Sequence, residues 1–295
     1  MVRDLSSHAP PAFSGGLEPA GYFCGPAEEE ALARLEWLVA ERQRCGLVVA
    51  EAGMGKSHLA VMAARRLAGL GAEVAVLSLA GLPEGDWAEL LLARLPLDPA
   101  SRTEPIRPWL KLENRLRENT LMGRPTVLIF DDVDRGPPDA RAGVARLAAA
   151  GEPRFATTVV VATATPAGLA EVPEPVRHGA AVRIDLPGWT AEEVAVYLQR
   201  ELARAGLPAD LFTTAAAQTI QRFARGTRRD VRRLAHLAVA AALGQGLATI
   251  DPATIEQVWR ELAPPDAPPV AATNGTDPSP AQATSQVRSV RRLWG

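Results

Sequence analysis

An apolar run at 46–51 leads into Ala50, Glu51, Ala52, Gly53, Met54, Gly55, Lys56 and Ser57, and a helical pattern follows from 57 to about 68. A strand that turns at once into a helix, through small residues and a Gly-Lys-Ser triplet, matches the phosphate-loop pattern G-x-x-x-x-G-K-[S/T]. Such a loop needs small residues so that backbone N–H groups can face phosphate oxygens at a helix N-terminus. It also needs a long point charge to reach the outer phosphates, which lysine supplies better than the wider guanidinium fork. Among 32 basic residues, only Lys56 and Lys111 are lysines. A chain that uses arginine for generic positive charge therefore keeps Lys56 for a specific purpose. Ser57 would place its hydroxyl on Mg2+. Ala50 departs from the pattern, which has glycine there. If that position demands a positive φ, alanine costs about 1 kcal/mol or more.

Further apolar runs at 73–79, 126–130, 157–162 and 181–186 are separated by helical patterns at 87–95, 109–122 and 141–150, and a helix over 28–44 precedes the first run. Apolar runs without alternation, set between helices, are what a parallel sheet covered on both faces requires. The reading is α/β: a P-loop NTPase doubly wound parallel sheet over 21–187. From Thr190 onward only helices follow. Thr190 and Glu193 form a capping box opening a helix to about 204. Helices at 211–224, 229–243 and 252–262 complete an all-helical unit over 188–262, the last with Asp251 as N-cap and Pro252 first. Residues 1–20 and 263–295 are rich in Pro, Ser, Gly and Ala and read as a disordered arm and tail. The basic stub at 287–295 reads as a frayed end rather than a docking peptide.

Composition narrows the function classes. The 295 residues are 47% hydrophobic and 22% charged, as in ordinary globular proteins. No apolar run approaches the ~18 residues of a membrane span, and no secretory leader is visible. Cys24 and Cys45 are too few for a disulfide framework and match no metal motif, so reduced thiols and a cytoplasmic setting are expected. A net charge of −2 gives no whole-chain attraction to nucleic acid.

The partner of the phosphate loop is the run at 126–130 ending in Asp131 and Asp132. A strand that delivers carboxylates at its C-terminal end, in the crevice where α/β folds bind ligands, is the Walker-B arrangement. Asp131 would hold the Mg2+ water shell, and Asp132 would polarise the attacking water. Aspartate is one methylene shorter than the glutamate more common at that second position. A later run ends in Thr163 and Thr165. Either threonine would sense the γ-phosphate from between the two motifs, or both simply cap a helix toward Leu169.

With these residues in place the chain resembles AAA+ ATPases, in particular the ExeA-like ATPases (general secretion pathway protein A) and the transposition ATPase TniB. The resemblance runs from Tyr22, Phe23, Cys24, Gly25 and Pro26 to Leu262. It is most specific in Glu193 and Tyr197, Ala205 and Gly206, Leu211 to Thr213, and Gly226, Thr227, Arg228 and Arg229. The family has Gly-x-Pro-Arg at that last motif, so Arg228 stands where the family has proline. The resemblance implies ATP bound between the α/β domain and a helical AAA+ lid, contacted by residues 50–57, His58 and Tyr22, with Tyr22 beside the adenine. It implies Arg229 reaching the γ-phosphate from the lid. It also implies a homo-oligomer in which an arginine finger, Arg177 or else Arg183, crosses to a neighbour's site. The secretion members carry an envelope-spanning segment that the tail does not resemble, so such a role is not expected.

Arg222, Arg225, Arg228, Arg229, Arg232 and Arg233 stand against a single acid, Asp230. Such a patch can grip a phosphate backbone. With no interleaved aromatics and no recognition helix, an ordinary solvated face is the better reading. The leading expectation is a slow ATPase that couples nucleotide state to a protein partner. A DNA-binding, transposition-type regulator and an ATP-binding scaffold without turnover are the alternatives.

Overall fold

The computed structural model of the chain describes Phe13 and residues 21–95, 107–149 and 156–262. Five parallel strands, β1 (Cys45–Val49), β2 (Glu73–Ser78), β3 (Thr126–Asp131), β4 (Thr158–Ala164) and β5 (Val182–Asp185), make one sheet in the order β2-β3-β4-β1-β5. Side chains alternate between its faces, and both faces are covered. Val127 and Ile129 pack under α1 (Pro26–Ala40) and α2 (Lys56–Gly69) with Leu35, Leu38, Leu59 and Leu67. Leu128 and Phe130 point the other way, into α3 (Trp87–Arg94), α4 (Pro108–Leu121) and α5 (Pro138–Ala148) with Leu91, Leu112, Leu116 and Val144. This double burial is why the strands read as unbroken apolar runs. A one-turn helix, α6 (Glu174–Arg177), precedes β5.

Four helices follow: α7 (Ala191–Arg204), α8 (Thr214–Ala224), α9 (Arg228–Gln245) and α10 (Pro252–Leu262). The expected caps form. The Glu193 N–H donates to Thr190 Oγ1 at 3.2 Å, and the Glu193 carboxylate accepts from the Thr190 N–H at 2.8 Å. Asp251 Oδ1 accepts from the Thr254 N–H at 2.9 Å.

Several boundaries differ from the sequence pattern. The helix expected from 28 to 44 stops at Ala40, because Arg42 turns left-handed at φ 50° and the Gln43 N–H folds back on Leu38 O. The helix expected from 211 begins at Thr214, because Phe212 forms an isolated parallel bridge with Ile250 and Thr213 takes the N-cap. The pattern at 141–150 begins at Pro138, where a proline fits the first turn, and ends at Ala148. The helix toward Leu169 is a single 3-10 turn, Leu169–Glu171. Of the arm expected at 1–20 only Phe13 is described. It is buried, with its ring edge-on to Tyr197 and Phe212 at 5.9 and 6.3 Å. The tail at 263–295, with its stub, lies outside the described residues. Among the described residues no helix is long and apolar enough to cross a membrane.

Candidate functional site

The carboxyl ends of β3, β4 and β1 lie side by side, and register decides what meets there. Val48 pairs with Thr163 and Phe130 with Ala162, so Thr163 stands level with Asp131. The Thr163 hydroxyl donates to Asp131 Oδ1 at 2.5 Å and accepts from the Asp132 N–H at 2.9 Å. Thr165 behaves differently. Its hydroxyl donates to Asp134 Oδ2 at 2.6 Å and accepts from the Gly168 N–H at 3.1 Å, closing the turn that follows. Thr165 therefore caps the turn before Leu169, while Thr163 links the Asp131 carboxylate to the Asp132 N–H. Asp131 is buried, while Asp132 faces a cavity. Asp132 sits at φ 53°, a left-handed conformation that aspartate tolerates better than most residues and that recurs at functional positions. Burial first, and the neighbouring Asp131 carboxylate second, hold the Asp132 pKa above the ordinary carboxylate range against the opposing Lys56 charge.

Gly53 (φ 84°) and Gly55 (φ 91°) carry the left-handed turns of the phosphate loop. Ala50 does not lie in that region, so the strain expected of an alanine there is absent. Its N–H donates to Ala164 O at 3.2 Å, continuing the sheet. When a loop turns its N–H groups inward, its carbonyls face outward and need donors. Lys56, only 6% exposed, donates through Nζ to Ala50 O at 2.9 Å and Glu51 O at 3.3 Å. The Arg229 N–H donates to Gly53 O at 3.1 Å, and the Arg228 guanidinium donates to Met54 O. The first turn of α9 therefore grips the loop from outside. A Cβ at Gly53 would lie 2.9 Å from Thr227 Cγ2 and 3.1 Å from Arg229 Cβ. Gly53→Ala should consequently lower stability by about 2 kcal/mol, a Tm fall of about 5 °C in thermal unfolding. An unchanged Tm would mean that α9 is not held against the loop.

A cavity of about 660 Å3 lies between the strand ends and the helices. Gly53, Gly55, Lys56, Ser57, Asp132 and Thr165 line its phosphate-loop end. Tyr22, Phe23, His58, Trp189 and Tyr197 give it an aromatic side, and Arg135, Arg204, Arg228, Arg229 and Arg232 a cationic one. The Tyr22 ring lies 4.9 Å from His58. Burial raises the pKa of its phenol, whose hydroxyl has no hydrogen-bond partner among the described residues. The loop runs directly into the N-terminus of α2, which favours an anion there. No cluster of three or more His, Cys, Asp or Glu among the described residues would hold a metal by itself. Ser57 lines the cavity, and Asp131, the carboxylate expected to face Mg2+, stands behind Asp132 with Oδ1 bonded to Thr163.

Sequence reasoning missed the pair that ties this site together. Glu28, 2% exposed, accepts from Arg228 Nε at 2.7 Å, from Trp189 Nε1 at 3.0 Å and from the Gly25 N–H at 3.0 Å. Arg228 also donates to Pro187 O at 3.4 Å and lies 5.2 Å from the Trp189 ring. In the sequence Arg228 is legible as one of six clustered arginines and as the residue standing where the resembled family has proline, with no partner indicated. Those six do not form a single face. Arg228, Arg229 and Arg232 line the cavity, and Arg222 reaches Glu256 at 3.7 Å. The remaining two, Arg225 and Arg233, are exposed.

Not every expected site residue reaches the cavity. Ala50, Glu51 and Met54 form the outer side of the loop, and Asp131 and Thr163 stand behind Asp132. Arg177 lies outside the cavity on the exposed surface, donating to Leu169 O at 3.4 Å and His178 Nε2 at 3.3 Å. Arg183 is exposed on β5 and paired to Asp185 at 2.9 Å.

No protein-family model matches the chain, and no curated protein matches it in sequence. Solved structures match in fold. The ORC2 protein of Aeropyrum pernix, in ADPNP-ADP complexes, superposes with a TM-score of 0.62 at 16% identity over 85% of this chain and 71% of that one. Cdc6p of Pyrobaculum aerophilum gives 0.58 at 16% identity over 83% and 70%. The RuvB Holliday junction branch migration motor of Thermotoga maritima gives 0.54 at 16% identity over 81% and 70%. With the five-stranded parallel sheet and its flanking helices, these place the fold among P-loop NTPases.

Proposed function

We propose that this chain binds ATP in the cavity between the strand ends and the helical segment, and hydrolyses it as an AAA+ ATPase. One observation carries the reading: Asp132 lines the same cavity as the glycine loop bearing Lys56, with Thr163 behind it bonded to the Asp131 carboxylate and the Asp132 N–H. Residues 21–187 form the ATPase core in this reading and 188–262 the lid. The ORC2 structure with ADPNP and ADP supports nucleotide as the ligand class, since it shares the fold.

The chain's own residues divide the work. Loop N–H groups and Lys56 take the phosphate charge, and Arg229, in the first turn of α9, reaches the γ-phosphate from the lid side. Asp132 orients a water and accepts its proton as the water oxygen bonds to the γ-phosphorus and the bond to the β–γ bridging oxygen breaks, giving ADP and phosphate. Thr163 fixes both acids for that role. Mg2+, held by the Ser57 hydroxyl and through water by Asp131, would neutralise phosphate charge. Tyr22 and His58 form the wall beside the base. Ala50 no longer argues for a scaffold without turnover, because it is unstrained. The DNA-binding alternative would draw on Arg222, Arg225 and Arg233, which stay exposed away from the cavity.

The finer reading is an ExeA-like or TniB-like ATPase, soluble in the cytoplasm, which assembles as a homo-oligomer and couples nucleotide state to a protein partner. Arg177 would then serve a neighbour's site, consistent with its place on the surface away from its own cavity. The test is steady-state hydrolysis across protein concentration. Turnover per chain should rise with concentration in the wild type. Arg177→Ala should remove that rise while leaving MgATP binding intact. Turnover independent of concentration in both proteins would exclude the shared site.

A further inference from the structure

We propose that Arg228 is a positioning residue: with Glu28 it forms a latch that fixes the start of α9 on the outer side of the phosphate loop, sets Arg229 in the cavity and governs how fast nucleotide leaves. This rests on the nucleotide reading above and adds to it a residue that the phosphate-loop pattern does not contain. The geometry comes from four separate stretches of chain. Glu28 belongs to the first turn of α1, where its carboxylate caps the Gly25 N–H. Met54 O belongs to the phosphate loop, Pro187 O and Trp189 to the segment before α7, and Arg228 to α9. Its guanidinium touches the other three, and its side chain is only 12% exposed.

Chemistry limits what can replace it. A planar fork with five donors serves Glu28, Met54 O and Pro187 O at once, whereas a lysine carries its three donors on a single atom and cannot span the three. The carboxylate it faces is 2% exposed, so the pair is screened little by solvent. The adjacent residue, Arg229, has its backbone N–H on Gly53 O and its side chain in the cavity. While Arg228 holds Met54 O, the loop and α9 keep one relative position. Once it lets go, Arg229 and the helical wall of the cavity are free to swing away from the phosphates. Departure of the nucleotide then requires the latch to open, and a filled phosphate loop holds the latch shut.

The experiment uses the full chain and N-methylanthraniloyl-ADP with Mg2+, displaced by excess ADP in a stopped-flow fluorimeter. Arg228→Gln should release the probe at least tenfold faster, and Arg228→Lys severalfold faster, since charge without the fork keeps part of the latch. Because Arg228→Gln leaves Glu28 buried and unpaired, the double variant Glu28→Gln/Arg228→Gln is run beside it and should show the same acceleration. A merely structural role is separated by a cycle with Arg229→Ala. If Arg228 positions Arg229, the effect of Arg229→Ala on release should shrink at least threefold in the Arg228→Gln background. Folded variants with unchanged release, or a fully additive cycle, would overturn the latch and leave the nucleotide reading standing. A wild-type chain that bound no probe would overturn the nucleotide reading itself, and the latch with it.

Discussion

Lys56→Ala is expected to weaken MgATP binding at least about 100-fold. Lys56 is buried at the start of α2 with Nζ on Ala50 O and Glu51 O, so the amine is already held at the mouth of the phosphate loop when the ligand arrives. Charge-assisted hydrogen bonds contribute about 1.5–3 kcal/mol each, and losing phosphate contacts worth about 3 kcal/mol lowers affinity by a little over two powers of ten. Nearby arginines do not replace it. Arg228 is committed to Glu28 and the loop's outer side, and Arg229 approaches from α9 rather than from within the loop. Titration calorimetry measures the loss directly. Thermal unfolding provides a second readout: nucleotide at 100 times its Kd should stabilise the wild type by about 2.7 kcal/mol and leave Lys56→Ala almost unmoved. Equal affinities would remove the phosphate loop as the binding element.

Asp132→Asn is expected to lower turnover by about 10^2- to 10^4-fold with MgATP binding retained, the range for loss of a general base. The amide cannot accept the proton, yet it keeps the size of the side chain and tolerates the left-handed backbone at φ 53°. The stability effect should run opposite to that of an ordinary active-site lesion. Burial and Asp131 raise the folded-state pKa of Asp132 above its unfolded value, so above both values the native state carries a carboxylate it disfavours. At neutral pH Asp132→Asn should therefore be at least as stable as wild type. The difference should vanish as pH falls below the unfolded carboxylate pKa of about 3.9, where both states are protonated. A variant that turned over like wild type would remove Asp132 as the base, and one less stable at pH 7 and equally so at pH 4 would mean the native state does not disfavour the Asp132 carboxylate.

Thr165, Ala50 and Arg228 mark where sequence reading stopped. Two threonines two residues apart look equivalent in a sequence, and only strand register showed that Thr163 meets Asp131 while Thr165 meets Asp134. Ala50 looked like a defect because a pattern prescribes a residue type without the backbone angle that requires it. The start of α8 differs for a related reason: Phe212 follows the helical pattern but is claimed by Ile250, 38 residues further along the chain.

The sequence by itself determined the sheet-and-helix order, the double coverage of the strands, the caps at Thr190 and Asp251, and the glycine loop between β1 and α2. Each of these is written in short-range terms: a period of apolar residues, a cap next to its helix, a glycine loop at a strand end. The tertiary structure alone decided that Glu28 and Arg228, 200 residues apart, close on each other over the phosphate loop. No local pattern encodes such a pair, because its energy arises only when four distant pieces of backbone are packed closely enough to exclude water from a carboxylate and a guanidinium.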